Sequence, residues 1–131
     1  VPMVVIVPAN HHLVEKGMVR LEDLEGETII MPDSGSDADV ESLFTNNKKL
    51  KFQFSTLHIH TAMAMVEQGI GISITNELVT KGHTSNVKIL PLDPPRFCEF
   101  GLSFPADTKL TPAAAKFIEY TKTIIRDSSM F

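Results

Sequence analysis

A single cysteine, Cys98, stands in 131 residues, so no internal disulfide can form and nothing points to an oxidising compartment. Long apolar runs are missing too. The longest, around Met3–Val7, falls far short of the about 20 residues a membrane-spanning helix needs. No basic segment precedes it as in a secretory leader. Positive charge is scarce: 12 Lys and Arg against 16 Asp and Glu give a net charge of −4. That leaves no chain-wide electrostatic footprint for nucleic acid. The one basic cluster, Lys48, Lys49 and Lys51 after Asn46-Asn47, reads as a solvated loop and strand start.

The motifs of several chemistries are likewise missing. Gly69-Ile70-Gly71 invites comparison with a dinucleotide fingerprint, which needs strand, then G-x-G-x-x-G, then helix. Here the order is helix, glycines, strand, and Ile74 holds the third glycine position. The pair is better read as ending a helix and permitting close packing. Of five histidines, His11-His12 follow the first strand in a loop, His58 and His60 lie at a helix start, and His83 follows Gly82. No His-x3-His pair, cysteine pair or nearby carboxylate completes a ligand set. No metal and no cofactor is therefore expected. Ser34, Ser36 and Ser73 offer hydroxyls but no G-x-S-x-G elbow. Cys98 sits on the apolar side of an alternating run, as an inert core thiol would. Abundant carboxylates leave acid–base chemistry open, yet none stands in an apolar setting, so an enzyme is not expected.

What is present is a regular alternation of strands and helices. A composition 43% hydrophobic and 21% charged is that of an ordinary globular domain. Met3–Val7 is apolar at every position, which predicts a strand covered on both faces. Val19, Leu21 and Leu24 lead to the turn closed by Gly26, and Thr28–Met31 is a second short strand stopped by Pro32. Val40, Leu43 and Phe44 form a helical stripe, with Ser34 or Ser36 as its cap and Ser36 with Asp39 as a capping-box variant. Lys51–Ser55 alternates, with Phe52 and Phe54 on one half-buried face. Ile59, Met63, Val66 and Ile70 share a helical face that ends at Gly69, and Ile70, Ile72 and Ile74 alternate as a strand. Asn76 caps a short helix ending at Gly82, and Val87–Leu90 is another strand before the rigid turn "PLDPP". Cys98, Phe100, Leu102 and Phe104 alternate as one buried strand face. Thr111 then caps a helix with Pro112 first, striped by Phe117, Ile118, Thr121, Ile124 and Ile125. The pattern predicts an α/β layer structure with a mostly parallel or mixed sheet.

In such a sheet, small ligands bind beyond the carboxyl ends of the strands, where helix N-termini present unpaired N–H groups. Two segments fit. Pro32-Asp33-Ser34-Gly35-Ser36 joins a strand to a helix, and Ser55–Thr61 does the same at the next helix. The serines serve equally well as plain helix caps. Asp37, Asp39 and Glu41 already complement the first helix dipole, so a strongly anionic ligand would need a cation from elsewhere.

The segments "VVIVPANHHL", "VRLEDLEGETIIM", "TAMAMVEQGIGISI", "LPLDPP" and "LTPAAAKFIEY", in this order and spacing, resemble the effector-binding region of LysR-type transcriptional regulators. The resemblance covers nearly the whole chain. It implies a type-2 periplasmic-binding-protein-like fold, with two α/β lobes around an effector cleft. Residues 1–102 would form the second lobe. Residues 103–131 would form the return segment and C-terminal helix of the first lobe. The chain opens inside a hydrophobic strand, as one cut from a longer protein would. The helix-turn-helix DNA reader and the opening half of the first lobe are expected outside it, and DNA binding only through that missing part.

The resemblance also implies a small-molecule effector, organic-acid or amino-acid-like. It places Asp33, Ser34, Gly35 and Ser36, and Thr56, His58 and His60, in the cleft. A cytoplasmic homo-oligomer away from membranes is implied as well. The chain departs from the family pattern at Asn76, where proline is frequent, and at His58 and His60. Imidazole is the side chain whose charge changes near neutral pH, so these two could supply the missing cation. An extracytoplasmic solute-binding protein of similar fold is the alternative reading, and an enzyme on a related two-lobed fold a further one.

Overall fold

The strand that is apolar throughout is paired on both sides and buried on both faces. In the computed structural model, which describes residues 1–32 and 38–128, β1 (Met3–Pro8) lies between β4 (Ile72–Asn76) and β5 (Val87–Pro91), antiparallel to both. Its first five residues are buried. Side chains alternate across a strand, so Met3, Val5 and Val7 join one core cluster with Ile29, Ile72 and Ile74, while Ile6 joins Ile30 in a second. β2 (Ile29–Pro32) runs parallel to β4 and to β3 (Phe52–Thr56), giving the order β3-β2-β4-β1-β5. The sheet is mixed, in line with the alternation read from the sequence.

Each face carries a different cover. Val40 and Leu43 of α1 (Ala38–Asn46), with Leu13 and Leu24 from two short 3-10 turns, close the face lined by Met3, Val5 and Val7. α2 (Ile59–Glu67) closes the other with Ala62, Met63 and Val66, all fully buried. Burying them supplies roughly 1.5–3 kcal/mol for each large side chain. The cap expected from Ser34 or Ser36, and its Ser36–Asp39 variant, fall outside the described residues and side chains. The lysine cluster behaves as expected. Lys48, Lys49 and Lys51 are exposed, and Lys49 Nζ lies 3.7 Å from Glu25.

Ser73 is a fully buried polar residue of β4; its hydroxyl donates to Ile30 O at 2.8 Å. This ties β4 to β2 beneath α2. Ser73→Ala is expected to cost about 1 kcal/mol, the worth of one buried neutral hydrogen bond, read as a lower midpoint in urea with an unchanged slope.

Three expectations need correction. Ile70 lies on neither a helix face nor a strand: α2 stops at Glu67, β4 begins at Ile72, and Ile70 is 45% exposed in the turn between them. Phe52 and Phe54 lie on β3, the edge strand, and stay about half exposed, with Phe52 edge-on to Phe44 at 5.7 Å. The run from Cys98 to Phe104 is not a strand. Phe100, Leu102 and Phe104 are exposed, and only Cys98 is buried. The last backbone pairing of this run is at Cys98, whose O accepts from Val1 N–H and whose N–H donates to Val1 O.

The chain divides into two compact units, Val1–Cys98 and Glu99–Phe131. The first holds the sheet. The second carries α3 (Pro112–Asp127), capped as the sequence indicates: Thr111 Oγ1 accepts from Ala114 N–H at 3.2 Å and Pro112 opens the first turn. Phe117, Ile124 and Ile125 form its stripe, yet no residue of α3 is buried. Among the described residues, no helix is long and apolar enough to cross a membrane.

Candidate functional site

Because β2, β3 and β4 run parallel, their carboxyl ends, Pro32, Thr56 and Asn76, reach the same edge of the sheet. A cavity of about 250 Å3 opens there, lined by Pro32, Leu57, His58, His60, Thr75 and Asn76 among others. The start of α2 forms one wall. His58 is its N-cap, with extended backbone (φ −130°, ψ 132°) and no side-chain cap. Its carbonyl accepts from Thr61 N–H at 3.1 Å and Ala62 N–H at 3.2 Å. The amides of Ile59 and His60, the first two helical positions, therefore have no intrahelical acceptor. No acidic residue occupies this first turn, so the positive end of the helix dipole stays open to an anion.

The end of β4 forms the facing wall. Thr75 is only 3% exposed, and among the described residues its hydroxyl has no protein partner. Asn76 Oδ1 accepts from Val79 N–H at 3.3 Å, capping the 3-10 turn at Glu77–Thr80. That leaves the side-chain NH2 group of Asn76 as a donor. The site thus offers backbone N–H donors, an amide donor, a hydroxyl and two imidazoles over an apolar floor of Pro32, Leu57 and Val79. Its resources are those of recognition.

Of the residues expected in the cleft, His58 and His60 both line this cavity. One is extended and the next helical, which brings them to the same opening. Thr56 is half-buried and stands opposite Pro32 in the β2–β3 register, but it is not among the lining residues. Asp33, Ser34, Gly35 and Ser36 lie outside the described residues. Nothing in the sequence singles out Thr75, since the alternation of Ser73 and Thr75 with Ile72 and Ile74 does not say which face meets a ligand. Asn76 was read only as a cap.

A larger cavity of about 540 Å3 sits on the other face of the sheet, among Met3, Leu43, Asn46, Asn47, Arg96 and Phe97. It borders the C-terminal turn of α1, where carbonyls project. The smaller cavity is the one at the carboxyl ends of the parallel strands, with the amides at the start of α2 in its wall.

Residues 1–124 match the family described as LysR substrate binding domain. The chain belongs to this family, whose members are effector-binding domains of transcriptional regulators rather than enzymes. It is 27% identical over 125 residues to YvbU of Bacillus subtilis, an uncharacterized HTH-type transcriptional regulator, covering 93% of this chain and 43% of that protein. HinK, a LysR family transcriptional regulator from Pseudomonas aeruginosa, superposes with a TM-score of 0.74 at 26% identity, over 93% of this chain and 44% of HinK. The effector binding domain of QuiR in complex with shikimate gives 0.72 at 25% identity, over 90% of this chain and 58% of that one. The fold is thus part of the periplasmic-binding-protein-like architecture expected from the resemblance. The chain spans less than half the length of YvbU.

Proposed function

We propose that the cavity between the start of α2 and the end of β4 is half of an effector cleft, and that this chain senses a small organic acid within a LysR-type transcriptional regulator. The observation that carries the reading is the uncapped, acid-free N-terminus of α2 facing, across the cavity, the Thr75 hydroxyl, which has no partner among the described residues. Ile59 and His60 N–H donate to the carboxylate, Thr75 and Asn76 hold a polar group at the other end, and His58 and His60 flank the mouth. QuiR's complex with shikimate supports a ligand of this size and polarity.

In this reading residues 1–102 form the second lobe, and residues 103–131 are the return segment and helix of the first. The resemblance assigns Asp33, Ser34, Gly35, Ser36 and Thr56 to the same cleft. The other half of the pocket, and the DNA reader, come from sequence beyond this chain. The regulator works as a cytoplasmic homo-oligomer without catalysis. Closure of the lobes around the effector biases the arrangement of its subunits.

Thermal-shift screening of the full-length protein against small organic acids and amino acids, shikimate included, tests this. A ligand present at 100 times its Kd stabilises the folded state by about 2.7 kcal/mol, a rise of several degrees. If no compound shifts either the melting or the operator footprint, the sensing role is lost. Thr75→Val keeps the side-chain shape and removes the hydroxyl. It is expected to weaken the best acid about tenfold, near 1.4 kcal/mol, by titration calorimetry.

A further inference from the structure

Folding brings a carboxylate to the His11-His12 pair that the sequence leaves alone. His11 caps the 3-10 turn His12–Lys16, and Glu27 stands just before Thr28 and β2. His11 Nε2 lies 3.3 Å from Glu27 Oε2, and His12 Nε2 lies 3.3 Å from Glu27 Oε1. One ligand atom from each of the three residues falls within 4.8 Å of the others. We propose that His11, His12 and Glu27 form a site for a divalent transition-metal ion of the Zn2+ class.

The geometry favours a metal over a simple ion pair. The two imidazole rings stack, with centroids 4.3 Å apart and planes 29° from parallel. Two protonated rings so placed repel each other, and one carboxylate would have to serve both. As neutral rings each can offer a lone pair, and an ion between them uses all three groups at once. Ligands about 2.0–2.1 Å from a tetrahedral ion stand about 3.3–3.4 Å from one another, which is the observed spacing from each nitrogen to its carboxylate oxygen. Two imidazoles with one carboxylate suit Zn2+ and its neighbours, whereas Mg2+ and Ca2+ prefer oxygen ligands. The side chain of His12 is 68% exposed, so the ion can enter from solvent and keep water on its open positions.

Loading requires one local change. His11 Nδ1 accepts the Leu13 N–H at 3.3 Å, which in the neutral ring places the proton on Nε2. Binding moves that proton to Nδ1 and gives up this long bond, freeing the Nε2 lone pair with no net proton release. The site is separate from the effector cavity. β1 runs antiparallel to β2 and β4, so the turn after Pro8 meets the start of β2, at the opposite edge of the sheet from Asn76. A metal there clasps the turn after β1 to the turn before β2.

The test is calorimetry and thermal melting of the chelator-stripped full-length protein with ZnCl2. One Zn2+ per chain is expected at this site, with a rise in Tm that MgCl2 does not reproduce. His12→Ala, at an exposed side chain that leaves the His11 cap intact, and Glu27→Gln are each expected to weaken that binding by more than about tenfold. The proposal is overturned by absence of Zn2+ binding, by binding that survives both substitutions unchanged, or by an equal response to Mg2+.

Discussion

Gly71→Ala is expected to lower the melting temperature of this domain by about 10 °C, a loss on the order of 3 kcal/mol. An added Cβ would sit 2.4 Å from Thr28 O and 3.1 Å from Thr28 Cγ2. The carbonyl cannot simply retreat. It accepts Ile72 N–H at 2.9 Å, the bond that opens the parallel pairing of β4 with β2, where Ile29 faces Ile72. Any shift that relieves the clash breaks this bond or displaces Ile29 and Ile72, both nearly fully buried. Gly69→Ala is the control. At φ 75° it has open space around its Cβ position, so it bears only the left-handed backbone penalty of about 1–2 kcal/mol. Urea melts of the two variants should rank Gly71→Ala as the more damaging. The reverse order would mean that backbone conformation, not close approach, is why "GIG" follows the helix.

That stretch shows how much of the fold was legible and where legibility stopped. The period of α2, the all-apolar run of β1, and the caps at Asn76 and Thr111 depend on neighbours a few residues away, so local pattern sufficed. The glycine pair was legible as a tight passage for the same reason. The alternating run from Cys98 to Phe104 had the period of a strand but, among the described residues, pairs with no other strand, and a strand's hydrogen bonds come from outside its own segment. Phe52 and Phe54 had the right alternation on a strand that proves to be an edge. The site divides along the same line. His58 and His60 could be placed at a strand-to-helix junction by sequence alone. The facing wall of Thr75 and Asn76, and the meeting of Glu27 with His12 and with His11, 16 residues away, depend on strand order. Five strands in the order β3-β2-β4-β1-β5 set which junctions face each other, and no single segment encodes that order.

The amide donors at the start of α2 can be tested apart from the histidine side chains. His60→Ala removes the imidazole and keeps the N–H; His60→Pro removes both. Proline is tolerated in the first turn of a helix because that amide has no intrahelical acceptor, so the two proteins should melt within about 1 kcal/mol of each other. Binding of the organic acid that gives the largest shift in the thermal screen should separate them. A hydrogen bond from an amide to a charged group contributes about 1.5–3 kcal/mol, so His60→Pro is expected to bind roughly 10- to 100-fold more weakly than His60→Ala. The ratio, not either affinity, is the informative quantity, since loss of the ring cancels in it. Equal affinities with equal melting would show that the ligand does not use the His60 amide. The helix mouth would then be only a wall of the cavity, and recognition would fall to Thr75, Asn76 and the imidazoles.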